Sequence, residues 1–215
     1  MSKWLNLFLV LSLLAPSGCR SVYYKTMEAF GYHKRDLLVE RVEDARDAQE
    51  DAKEQFQSAL EKFGAVVRFS GGELEAKYKQ LKAELQSSES KADTVRRRIG
   101  SVEGVAKALF DEWESELDQY ANEKLRRSSK QKLEQTRRRY AELIGAMKRA
   151  EVKIEPVLSA FRDNVLFLKH NLNAQAVASL HDELASVEAD IASLIKEMET
   201  SIAEADVFIK AMSGK

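Results

Sequence analysis

The chain has 215 residues, 44% of them hydrophobic and 32% charged, with a formal net charge of −1. Two prolines and nine glycines leave too few turn formers for a β-rich fold, and Ala, Leu, Glu, Lys and Arg at regular spacing point to long helices with much solvated surface. A net charge so near zero decides nothing about nucleic acid as a partner, and one cysteine excludes an intramolecular disulfide.

Residues 1–18 read as a targeting segment outside the fold. Lys3 supplies a positive charge, Trp4 to Ala15 an apolar core, and the small residues Ser17 and Gly18 precede Cys19. The apolar run is short for a membrane span. Gly18 and Cys19 resemble a bacterial lipobox, from which Pro16 departs. The reading adopted makes Cys19 the lipid-attachment residue and the first residue of the mature chain. Ordinary secretory cleavage after Ser17 and an uncleaved anchor are the alternatives. By the same resemblance, Arg20 stands where an aspartate would retain a lipoprotein at the inner membrane, which implies the outer membrane and a periplasm-facing protein. Residues 19–32 are expected to form an anchor and linker. Tyr23, Tyr24, Phe30 and Tyr32, beside Arg20 and Lys25, suit either a membrane interface or packing against the end of the helical domain.

From residue 33 to 215 the spacing predicts four helices. The first runs from about Arg35 to Phe69 on the seam Leu38, Val42, Ala45, Gln49, Ala52, Phe56, Ala59, Phe63, Val66, ended by Ser70, Gly71 and Gly72. In the second, apolar or small residues recur from Leu74 through Leu81, Leu85, Ser88, Ala92, Val95, Ile99, Val102, Ala106 and Leu109 to Trp113. It is expected to reach about Ala121. Gly100 and Gly104 are its weak points, and the step to Leu117 and Tyr120 locally unwinds the coil. Asn122 to Ser129 is the next turn, with Ser128 and Gln131 as a capping box. The third helix follows Tyr140, Leu143, Met147, Ala150, Ile154, Val157, Phe161, Val165 and Leu168, with Pro156 expected to kink it. After a turn at His170 to Asn173, capped by Asn171 or Asn173, the fourth follows Val177, Leu184, Ile191, Met198, Ile202, Ala205 and Phe208.

The turn positions set the register. Acidic Asp111, Glu112, Glu114, Glu116 and Asp118 should lie beside Lys132, Arg137, Arg138 and Arg139, while Arg96, Arg97 and Arg98 should lie beside Glu151 and Glu155. The expected fold is an all-α, elongated antiparallel four-helix bundle in which the hairpin from Leu117 to Lys132 projects beyond the rest. That tip carries Lys124, Arg126, Arg127 and Lys130, the candidate residues for binding an anionic surface.

No catalytic constellation emerges. His33, His170 and His181 are scattered, and there is no phosphate loop, serine elbow or metal-ligand spacing. The reading is therefore no enzyme, no catalytic residue, no metal and no cofactor. Nucleic acid is not expected, since no base-stacking aromatics interleave the basic run, and no small-molecule substrate is expected. The membrane, through Cys19, and a protein partner or second copy, through helix faces, are the expected contacts.

The segments LFDEWESELDQY at Leu109 to Tyr120, RRSS at Arg126 to Ser129, TRRRYAELIGAMKRAE at Thr136 to Glu151 and PVLSAFRDNVLFLKHNLNA at Pro156 to Ala174 resemble the bacterial domain-of-unknown-function family 2959. That resemblance implies an all-helical, coiled-coil-containing envelope protein and carries no assigned activity or site residue.

Overall fold

A computed structural model describes residues 33–68 and 74–213. The leader, the anchor and aromatic linker, and the turn at Ser70, Gly71 and Gly72 lie outside the described residues. Four helices follow one another: α1 (Lys34–Val67), α2 (Leu74–Glu116), α3 (Glu123–His170) and α4 (Ala174–Ser213). At 43 and 48 residues, α2 and α3 are rods of about 65 and 72 Å. No described helix is long and apolar enough to cross a membrane.

The helices pack in a closed ring, α1 on α2, α2 on α3, α3 on α4, and α4 back on α1. Every neighbour is antiparallel. Asp44 and Asp51 of α1 meet Arg98 and Lys91 of α2. Glu89, Glu103 and Glu114 of α2 meet Arg162, Lys148 and Arg137 of α3 in equal, opposite steps. Arg149 of α3 reaches Glu197 of α4, and Asp206 of α4 reaches Arg46 of α1.

The core is a continuous seam. Phe56, Phe63, Ile99, Met147, Ile154, Phe161 and Phe208 are buried, and Phe63 meets Phe161 edge to face with centroids 6.0 Å apart. The seams of α1 and α2 are buried as the spacing predicts, except that Trp113, and Tyr78 at the seam position between Leu74 and Leu81, are half-buried. In α4 the place expected for Ile202 belongs to Ser201. Strict alternation of four and three from Leu194 through Met198 lands on Ser201, which is buried while Ile202 is half-exposed. Ser201 donates to Gln49 Oε1 at 2.7 Å, forming a buried polar layer between α4 and α1 in which Gln49 Nε2 has no partner. Such a layer disfavours a slide of either helix by one heptad, because the slide opposes a polar group to an apolar one.

Two helix-end expectations are corrected. The α-helical part of α2 stops at Glu116 and tightens into a 3₁₀ turn at Leu117–Gln119, because no residue after Phe110 is buried to hold a longer helix. The cap of α3 is Asn122 and not Ser128: Asn122 Oδ1 accepts from the backbone N–H of Lys124 at 2.9 Å and of Leu125 at 3.2 Å. Ser128 lies inside the helix it was expected to begin. The first helix runs over Lys34–Val67 with Arg68 as its C-cap, close to the expected bounds, and Phe69 lies outside the described residues. At the third turn Asn173 is the cap, accepting from Ala176 N–H at 2.9 Å. Neither Gly100 nor Pro156 breaks its helix. Pro156 and Val152 are both exposed, so the Val152 carbonyl that loses its donor lies on the solvated side of α3.

Candidate functional site

Two contacts fix where the bundle stops being four-layered. Lys34 Nζ, its side chain 9% exposed, pairs with Glu112 at 2.7 Å, and the Arg35 guanidinium donates to the Met212 carbonyl. Thus α1 starts and α4 ends level with Glu112. Beyond that level, among the described residues, α2 and α3 continue without α1 and α4, and no residue between Phe110 and Leu133 is buried.

Polar contacts hold this hairpin together. Trp113 Nε1 donates to Ser129 Oγ at 2.8 Å, and the Tyr120 hydroxyl approaches the same oxygen at 3.4 Å. Arg126 bridges Asp118 at 3.0 Å and Glu123 at 3.5 Å. At the base Arg137 pairs with Glu114 at 2.8 Å and lies over the Phe110 ring, 5.5 Å from its centroid. The hydrogen bond from Arg137 holds the Glu114 carboxyl below the usual carboxylate range, and Glu114 in turn raises Arg137. Tyr140 stacks edge-on against Phe110 at 5.4 Å, and burial, followed by the charge of Glu103, pushes its hydroxyl up to about 12.

Of the four predicted surface-binding residues, Lys124, Arg127 and Lys130 are exposed and have no carboxylate within 4.0 Å among the described residues. Arg126 is occupied by Asp118 and Glu123. The structure adds Lys132, Arg138 and Arg139, likewise exposed and unpaired. The expectation that Arg138 and Arg139 pair with the acidic block of α2 is corrected. Only Arg137 points at α2, since successive residues turn by about 100° around a helix. The same geometry separates the second basic triplet: Arg96 reaches Glu155 on α3, Arg98 reaches Asp44 on α1, and Arg97 bonds only Thr94 on its own helix. Glu151 pairs with Lys148 of its own helix rather than with any of the three.

Lys124, Arg127 and Arg138 therefore form an outward stripe of α3, flanked by Lys130, Lys132 and Arg139. From Lys124 to Arg139 it is about 22 Å long. Each unpaired cation contributes about 1 kcal/mol near an anionic lipid surface, an attraction that salt screens. Heptad phase was the signal available for Arg138 and Arg139: Arg138 falls on the face opposite Leu133 and Tyr140, and Arg139 on the flank beside it.

Beside the hairpin lies a groove of about 680 Å³, lined by His33 just before α1, Asp36 of α1, Leu109 and Trp113 of α2, and Leu125 and Lys132 of α3. His33, the first described residue, is part of that lining. Among the described residues no group of three His, Cys, Asp or Glu is placed to hold a metal ion, and His170 and His181 lie exposed at the other end of the bundle, away from the hairpin. Cys19 lies outside the described residues.

A family model described as "Protein of unknown function (DUF2959)" matches residues 23–212, nearly the whole helical chain. The chain belongs to that family. No curated protein matches it.

Proposed function

We propose that this member of the DUF2959 family is a noncatalytic, lipid-tethered protein of the bacterial envelope, held through Cys19 at the outer membrane and facing the periplasm. Its role is structural or that of an adaptor, with the outer faces of the rods available to a protein partner or a second copy. The observation that carries this reading is the position of His33: the chain enters the bundle at the hairpin end, so a tether upstream emerges beside the unpaired cations. A leader of Trp4 to Ala15 followed by Cys19 supports it. Feeding cells a clickable fatty acid tests it. Label should appear on the wild-type protein and vanish in Cys19→Ser, and equal labelling of both, or of neither, removes the tether.

A second reading is favoured by the outward stripe of α3: binding of an anionic envelope surface, whether phospholipid, lipopolysaccharide or another anionic polymer. Reversal of Lys124, Arg127 and Arg138 to Glu should abolish salt-sensitive cosedimentation with vesicles of anionic phospholipid, whereas Arg126→Glu, at a residue already paired, should matter less. Equal binding by all variants sinks this reading and leaves the tether untouched.

A further inference from the structure

We propose that two copies of this chain pair antiparallel along α3, each seating Leu125 of its hairpin in a groove between α3 and α4 at the far end of the other. The pairing rests on the adaptor reading only in naming a second copy as the partner, and it holds with or without a lipid on Cys19.

The groove measures about 530 Å³. Ala160 and Phe167 of α3 and Leu180 of α4 give it an apolar lining, and Phe167 is 39% exposed. Asn164 lines it too, at 7% exposure. Its Nδ2 donates to the Ala160 carbonyl at 2.7 Å, which leaves the amide oxygen an acceptor without a partner among the described residues. The charged lining is acidic: Asp163 and Glu183 are both exposed and in no ion pair among the described residues. From Asp163 to Ile195 the chain carries five acids against Lys169, with His170 and His181 as the histidines of this end. Arg162, just before, is taken by Glu89 and Glu155.

An apolar hollow with an acidic border fits an apolar knob with a cationic border. The hairpin supplies one, since Leu125 is 55% exposed and Lys124, Arg127 and Lys132 are exposed and hold no carboxylate among the described residues. The groove beside the hairpin, which Leu125 and Lys132 also line, contains Arg35 and the acids Asp36, Glu112 and Glu116, none of them paired with Lys132.

Spacing points to a second copy as the occupant. Leu125 and Phe167 stand six heptads apart on a helix whose buried residues Leu133, Met147, Ile154, Phe161 and Leu168 keep the same repeat, so the two share one face. An antiparallel partner meets both at once, which closes the pair around a two-fold axis. The charges then fall into register. On α4, Glu183, Asp190 and Glu197 recur every seven residues, and the pair of Glu197 with Arg149 shows that this line faces α3. On the hairpin, Leu125, Lys132 and Arg139 recur at the same interval. The bonds from Lys153 to Ser193 and from Arg149 to Glu197 set α3 against α4. With Leu125 of one copy at Phe167 of the other, Lys132 comes between Glu183 and Asp190, and Arg139 between Asp190 and Glu197, each about 5 Å along the axis from the nearer acid. Lys153, the cation on this line of the body, is bonded to Ser193. Parallel pairing would instead set the cations of the two hairpins against each other.

In the full chain with Cys19→Ser, sedimentation at low salt should show a dimer that dissociates as salt rises. Reversing the hairpin, by Lys132→Glu with Arg139→Glu, or the groove, by Glu183→Lys with Asp190→Lys, should weaken self-association about tenfold or more. Mixing the two variants should restore a dimer, because each altered surface then meets its complement, and that restoration shows both to be folded. Leu125→Cys of one copy should crosslink to Ser179→Cys of another through a short bis-maleimide. A monomer at every concentration, a dimer indifferent to both reversals, a mixture that stays monomeric, an absent crosslink or a series of larger oligomers overturns the pairing. The tether is judged separately, by the label at Cys19.

Discussion

Below Glu112 each rod has a neighbour on both sides; above it, among the described residues, α2 and α3 have only each other. In the body, cations are spent on partners across helices: Arg46 on Asp206, Lys91 on Asp51, Arg98 on Asp44, Arg162 on Glu89. In the hairpin Arg126 finds such a partner in Asp118 and, at its base, Arg137 in Glu114, while Lys124, Arg127, Lys130, Lys132, Arg138 and Arg139 are exposed with no carboxylate partner among the described residues. Individually the body's pairs contribute roughly 0–1 kcal/mol, so stability there comes from the seam and the pairs fix register. The hairpin has neither a seam nor that matching. Its charge is free to act outward, and its shape rests on a few hydrogen bonds.

The sharpest way to break this contrast is to make a hole in the body. Phe161→Ala should cost about 3–5 kcal/mol in urea unfolding, with one cooperative transition shifting for the whole bundle, because Phe161 is 1% exposed and packs on Phe63. In the hairpin Asn122→Ala should cost about 1 kcal/mol and raise amide exchange of Lys124 and Leu125, the two N–H groups it caps. Exchange in the body should stay unchanged, and a global loss as large as that of Phe161→Ala would erase the distinction. In the other direction, Gly100→Ala should stabilise the body by up to about 1 kcal/mol, since α2 is helical there and an added Cβ meets nothing within 4 Å. A loss of stability would mean that Gly100 serves close packing.

The smallest effect marks the boundary between the two regions. The Tyr140 hydroxyl is raised from 10 to about 12 by burial against Phe110 and by Glu103. The fold therefore favours its protonated form. That contribution is fully present below pH 10 and is lost as pH rises toward 12, where the unfolded chain ionises first. Tyr140→Phe should flatten the alkaline decline of Tm between those values and leave neutral stability nearly unchanged. An unaltered decline would place Tyr140 in solvent.

Much of the fold was legible because period and burial express the same geometry. Leu38, Val42, Ala45, Gln49 and Ala52, picked by spacing alone, are all fully buried, including the polar Gln49. Where reading by hydrophobicity departed from the period it failed: Ile202 looks like core, yet the phase puts Ser201 there. The wider seam that includes Val105 and Phe110 was missed because a two-position stripe describes a pair of helices, while a ring of four also buries residues beside it. For the candidate site, counting from the turn gave the height of each charge and not its azimuth. Arg137, Arg138 and Arg139 share a height with the acids of α2, but only the first shares a direction. Asn122 outranked Ser128 as the cap because the 3₁₀ turn tightens the reversal, so α3 begins earlier than the spacing of the seam requires.

The start of α1 at the hairpin end has a mechanical consequence. Any pull transmitted through residues upstream of His33 acts along the axis of α1, which lies antiparallel between α2 and α4 over its full length. Such a force loads the joint in shear, shared at once by every layer from Leu38 to Val66 and by the Gln49 to Ser201 bond, instead of peeling the layers one at a time. A load applied at the start of α1 with the body held at its far end is therefore borne in tension along the rod, while the cationic arm stays outside the line of force.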